Sequence, residues 1–245
     1  MMLSDLDDRK ALALIEEMKM SIDLLMLGLE KLRDAEKDDR IHLPIQILSL
    51  GYERLFKCLL MLDYLKSNNT FPNDLLWEKG SKGHDILELH KKLVDLPIFN
   101  QFAEKCELCA EEINFIRNNR LLLKILAILK NYGQGGRYYN MDYLTGNEKS
   151  IEEDPVQKWS EMETEIVVSN LSKKNDDSVE AIKNASNSAF KKIEETIKIS
   201  IGVFARMMTN GYFGETGKQL VMINQYHSWT KPLLNKLLEK KKGHK

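Results

Sequence analysis

An all-α fold is predicted for this chain, and three observations predict it. Apolar residues recur with helical spacing over long segments, as at Ile45, Leu48, Tyr52, Leu55, Phe56, Leu59 and Leu60. No segment shows the sustained alternation of apolar and polar residues, bounded by turn residues, that marks a half-buried strand. The 13 glycines and 5 prolines are few, and they cluster between the periodic stretches.

Taken in order, a first helix is predicted over Leu3 to Glu36 and a second over Pro44 to Lys66, the stretch that carries the stripe just given. A third runs from Asp85 to Val94. Asp85 and Glu88 have the D-x-x-E spacing of a capping box, with the Asp85 side chain accepting from amides of the first turn. The fourth runs from Ile98 to Lys130, with a break near Asn118 and Asn119. A fifth lies near Pro155 to Leu171. The sixth, Val179 to Thr209, carries a second long stripe that includes Val179, Ile182, Ala189, Phe190, Ile193, Ile197, Ile201, Phe204 and Met208. The seventh extends from Lys218 to Lys240, with Pro232 restarting its last turns. Loops are expected at Ser67 to Gly83, Asn131 to Asn147 and Asn210 to Gly217. Scattered methionines, such as Met18, Met20, Met26, Met207 and Met208, read as core filler.

The chain has 245 residues, enough for one large domain or two small ones. The second loop suggests a division into residues 1–144 and residues 145–245, the second part packed on the first as one unit. The first part holds 20 basic and 23 acidic groups, the second 16 and 14, so the charge shift across the boundary is small. The N-terminal sequence is acidic and lacks the layout of a signal peptide. The most apolar run, Leu121 to Leu129, is far shorter than the roughly 20 residues that span a bilayer. Cys58, Cys106 and Cys109 are too few for a disulfide framework. A cytoplasmic protein without membrane association is therefore expected.

With 36 Lys and Arg against 37 Asp and Glu, coating of DNA by bulk charge is excluded. The balance conceals segregation. No acid occurs from Ile113 to Met141, a stretch that contains Arg117, Arg120, Lys124, Lys130 and Arg137. An acidic segment beginning at Glu148 follows, and the C-terminus ends with Lys240, Lys241, Lys242 and Lys245. Local fields of this kind can bind an anion although the net charge is near zero.

Several short patterns could carry chemistry. Glu53 and Lys57 stand at i and i+4 in the favourable order for a helical ion pair. His84 precedes the Asp85 cap, where it covers a helix end or lines a groove. The loop Gly133-Gln134-Gly135-Gly136-Arg137-Tyr138-Tyr139 combines glycine amides that can cradle phosphate, an Arg that can bind it in two-pronged fashion, and tyrosines that can stack on bases. It is no P-loop, since Gly-Lys-Ser/Thr is missing and a helix precedes it. The alternative is a helix stop at Gly133 with tyrosines packed under the next segment. Cys106 and Cys109 form a C-x-x-C within a predicted helix. Further ligands for a zinc site are missing and no βαβ setting surrounds it, so buried or half-buried thiols are expected. No metal site and no cofactor are predicted.

The E-x-x-x-K of Glu53 and Lys57, the Gly-His-Asp-Ile from Gly83 to Ile86, and the Phe-Ile-Arg-Asn from Phe115 to Asn118 occur in the order found in HEPN domains. Over roughly Pro44 to Tyr143 the chain resembles this family of prokaryotic helical bundles. The resemblance implies a helical bundle, here with additional C-terminal helices, and a dimer in a defence or toxin–antitoxin-like setting. Members of the family include metal-independent RNases, nucleotide binders and partners of nucleotidyltransferases. The nuclease members pair an Arg with a His after four to six intervening residues. Arg117 supplies the Arg end, but the His positions hold Leu122, Leu123 and Lys124. An unperturbed Lys is a poor base near pH 7.

The implied function is a non-catalytic or degenerate HEPN-like binding module for RNA, a nucleotide or a protein partner. Its ligand-binding candidates are Arg117, Arg120, Arg137, Tyr138 and Tyr139. One alternative is a metal-independent RNase that uses a non-standard set, with His84, Arg117, Lys124 and Arg137 around a phosphodiester. Another is a helical adaptor with no ligand site, whose leftover apolar stripes dock a partner.

Overall fold

Every residue of the Ile45 to Leu60 stripe is buried, and the helix that carries it is central to the molecule. The computed structural model describes residues 1–38, 40–77, 79, 83–146, 154–172 and 178–224. These residues form helices and connecting turns, with no strand among them. The chain is all-α. The helices are α1 (Asp8–Asp38), α2 (His42–Asn68), α3 (Ile86–Val94), α4 (Pro97–Ala103), α5 (Glu107–Asn118), α6 (Arg120–Gln134), α7 (Tyr139–Leu144), α8 (Pro155–Ser172), α9 (Val179–Thr209) and α10 (Gly214–Ile223).

The first two form an antiparallel pair held at unusually close range by glycines. A Cβ built at Gly28 would lie 2.7 Å from the Leu48 side chain and 3.2 Å from its amide nitrogen. One built at Gly51 would lie 2.8 Å from the Leu25 side chain. The missing side chains therefore let Leu48 and Leu25 each seat on the opposite backbone.

Around this pair α3, α6 and α10 pack on α2, α9 packs on α1, α6 and α10, and α8 packs on α6 and α9. The second half of α9 is buried on nearly all sides, from Thr196 and Ile197 through Met208. Its Phe204 ring meets Phe56 of α2 at 5.6 Å and Phe99 of α4 at 6.3 Å. Tyr52 shares a 2.6 Å hydrogen bond with Ser200, so even the polar tips of the core are paired across α2 and α9. One continuous hydrophobic cluster runs from Leu14 to Val221. The chain start is tied to α10, where the Leu3 amide donates to Gln219 and the Thr216 hydroxyl donates to the Met1 carbonyl.

Several sequence expectations need correction. The fourth predicted helix is three helices. Leu96 is extended before Pro97, whose fixed φ suits a first helical position. Glu104, Lys105, Cys106 and Glu107 are all exposed, so no core contact holds a continuous helix there, and the chain breaks before α5. The break near Asn118 and Asn119 is present: the Asn119 side chain accepts from the Leu122 amide and starts α6. The first predicted helix begins as a short 3-10 turn, Leu3–Asp5, and restarts at Asp8.

Gly133 does not stop its helix, which runs on to Gln134 and is closed by Gly135 at φ 156°. A 3-10 turn, Gly136–Tyr138, and α7 then occupy what reads as a loop. Met18, Met207 and Met208 are core residues, but Met20 and Met26 face outward, 46% and 41% exposed. The start of the long stripe on α9 is likewise outside, with Val179 and Ile182 exposed. The seventh predicted helix is described as α10 only as far as Ile223. Its continuation to Lys240, Pro232, the terminal lysines and Glu148 lie outside the described residues. No described helix is long and apolar enough to cross a membrane.

Candidate functional site

Helix periodicity places Glu53 and Lys57 on the edge of α2 that borders its buried face. Their side chains are 12% and 18% exposed, so the pair is not the solvated surface pair that its spacing alone describes. Glu53 Oε1 accepts from Lys57 Nζ at 2.6 Å. The same oxygen meets His84 Nδ1 at 2.9 Å. A carboxylate oxygen accepts, so the ring donates to Glu53 through Nδ1. The His84 side chain is 53% exposed. Trp77 covers the Lys57 ammonium, with the ring centroid 5.0 Å away.

The next residue closes the cluster. Asp85 is the N-cap of α3, and its Oδ1 accepts from the Glu88 amide at 3.0 Å. Its Oδ2 accepts from Lys130 Nζ of α6 at 2.9 Å. Beneath this ion pair the Ser49 hydroxyl of α2 donates to the Leu129 carbonyl of α6. A Cβ on Gly133 would lie 2.9 Å from the same hydroxyl oxygen, which explains a glycine inside a helix. Two of the sequence motifs, from α2 and from the start of α3, thus form one connected polar cluster. Its fixed charges cancel in two ion pairs, and its exposed member is an imidazole oriented by a carboxylate.

The third motif lies elsewhere. Arg117, in the last turn of α5, donates from Nε at 3.3 Å and from Nη2 at 2.7 Å to the Val94 carbonyl. It thereby satisfies an orphan carbonyl at the C-terminus of α3 and places positive charge at the negative end of that helix. His84 precedes the other end. The intervening nine residues rise about 13 Å, so His84 and Arg117 flank α3 rather than share a cleft.

Arg120 is exposed in the first turn of α6. Lys124 is held by Glu165 of α8 at 2.6 Å. Of the positions that hold His in the nuclease pattern, Leu122 is buried in the core.

The glycine-rich segment is turned to structural work. The Gly135 amide donates to the Asn131 carbonyl. Gly136 is buried, and a Cβ there would lie 2.4 Å from Pro155. Tyr138 is 54% exposed, while Tyr139 stacks on Tyr143 with centroids 6.4 Å apart. The side chain of Arg137 lies outside the described part of the structure.

Sequence reasoning missed two features. Glu112 of α5 and Arg206 of α9 form an ion pair in the core, with side chains 2% and 10% exposed. Burial pulls the Arg206 guanidinium down to about 10, against the raising influence of Cys109 and Cys106. No local pattern connects residues so far apart in sequence. Cys106 is not a buried thiol inside a helix: it is exposed, and it is the N-cap of α5. Among the described residues no cluster of three or more His, Cys, Asp or Glu could hold a metal ion. No protein-family model, curated protein or solved structure matches the chain.

Proposed function

We propose that the chain is a non-catalytic, HEPN-like binding module whose ligand carries phosphate, as RNA or as a nucleotide. The observation that carries the non-catalytic reading is the dispersal of the groups an RNase would need. Arg117 is engaged on the Val94 carbonyl, Leu122 belongs to the core, Lys124 is paired with Glu165, and His84 precedes the far end of α3. The phosphate reading rests on the acid-free stretch, from which Arg120 stands exposed at the start of α6.

The test is anisotropy of a labelled single-stranded RNA, with a mononucleotide as competitor, over a salt series. Binding is expected to weaken with salt. In the double variant Arg120→Ala with Arg137→Ala, the log–log slope should become shallower by about 1.4. An unchanged slope removes these residues from the site, and no binding of either ligand overturns the phosphate reading.

A second reading has one observation in its favour: His84 is solvent-accessible and its Nδ1 is fixed by Glu53, the arrangement of an oriented general base. Incubation with total RNA, with and without divalent metal, separates the two. Cleavage that disappears in His84→Ala supports the enzyme, and no cleavage above that control supports the binding module.

A further inference from the structure

Cys106 begins α5 in an extended conformation, φ −166° and ψ 160°, and its Sγ accepts from the Cys109 amide at 3.2 Å. Cys109 follows Cys106 by three residues, the spacing that makes side chains neighbours on a helix. The two side chains therefore already face each other on the first turn of a helix of 12 residues. They differ in access: Cys106 is exposed and Cys109 is half-buried. Arg206, 8% exposed and ion-paired with Glu112, adds the influence of its positive charge from α9 at both sulfurs.

We propose that Cys106 and Cys109 form a thiol–disulfide exchange site, with Cys106 as the attacking thiolate, Cys109 as the resolving thiol and small-molecule disulfides as substrate class. The Cys106 thiolate attacks one sulfur of the disulfide, that S–S bond breaks, and the departing half leaves as a thiolate. Cys109 gives its proton to solvent and attacks the Cys106 sulfur. The mixed disulfide breaks and releases the second thiolate. Two electrons pass from the protein dithiol to the small disulfide, and the two cysteine protons end on two small thiols.

The electrostatics assign the roles. Hydrogen bonding from the Cys109 thiol, then from the amides of Cys109 and Leu108, with help from Arg206, holds the Cys106 thiol below its ordinary range. Burial, then the Cys106 sulfur, pushes Cys109 up to about 11. A low attacking thiol at a helix N-terminus beside a protected partner is what exchange requires, and a surrounding sheet is not part of that requirement. Cys58, buried in α2 and pushed up to about 12 by its burial, is an internal control that should not react.

The experiment treats the full chain with glutathione disulfide, quenches by alkylation and maps the cysteines by mass spectrometry. The unaltered protein should lose two alkylatable thiols and gain a Cys106–Cys109 disulfide, with Cys58 untouched. Cys109→Ser should stop at a single glutathione adduct on Cys106. Cys106→Ser should form an adduct at Cys109 at least tenfold more slowly. A stable mixed disulfide on the unaltered protein would overturn the resolving role. Equal rates in the two variants, or a Cys106 no faster than the same sequence in a short unstructured peptide, would overturn the site.

Discussion

His90 shows how a single residue's surroundings set its chemistry. It is 4% exposed, its ring lies 5.7 Å from Phe56, and it donates to the Ile116 carbonyl. Burial pulls its pKa down to about 4, against the smaller raising effects of that hydrogen bond and of Asp95. The folded state therefore holds this imidazole neutral, while the unfolded chain binds a proton near 6.5. Because the unfolded state binds more protons between those values, the contribution is complete above about pH 6.5 and is lost as pH falls toward 4. Between pH 7 and pH 5.5 it amounts to about 1 kcal/mol. Urea unfolding at these two pH values should show the unaltered protein losing that much more stability than His90→Gln. Equal losses would mean that His90 is protonated in the fold.

At the scale of elements, the α1–α2 contact sets the sharpest steric limit. Alanine at Gly28 would gain about 1 kcal/mol in helix propensity. Against that, its Cβ would sit inside the contact distance of Leu48 Cγ and close to the Leu48 amide, so a backbone would have to shift. Overpacking of this kind costs about 1–3 kcal/mol. The steric term wins, and Gly28→Ala and Gly51→Ala should each lower the urea midpoint at unchanged slope. A rise in midpoint would show that the helices can separate at little cost. Helix α3 illustrates a different control, since both its ends are closed from outside: Asp85 caps the amides, and Arg117 of α5 caps the carbonyl of Val94. The residue that the family resemblance marks for phosphate is, in the fold, a helix cap.

At the scale of the whole molecule, the two sequence-defined parts draw on one core. Ile193, Ile197, Ile201 and Phe204 of α9 belong to the same cluster as Leu25, Leu48 and Phe56. A fragment of residues 1–144 would leave the α9-facing surfaces of α2 and α6 open to water. That fragment is expected to keep helical circular dichroism yet show no cooperative urea transition and to bind hydrophobic dyes. A sharp two-state transition would establish residues 1–144 as an independent domain. The Glu112–Arg206 pair belongs at this scale too, because the two charges meet only when α5 docks on α9.

Much of the architecture was legible because helical periodicity is a local property. The α2 stripe, the Asp85 cap and the break at Asn119 all follow from residue types at fixed short offsets, where the chain must satisfy its own backbone. So does the polar edge of Glu53 and Lys57. What the amino-acid sequence could not determine is which side chains meet across elements. It gave no sign that Glu53 orients His84, or that Lys130 pairs with Asp85. Nor did it show that α3 separates His84 from Arg117, or that a break with no buried side chain would expose Cys106 at a helix start beside Arg206. Local spacing selects the helix and its buried face. The partners of the remaining polar groups are decided by packing, because burying a charge or an amide is tolerable only where the assembled fold brings a matching group.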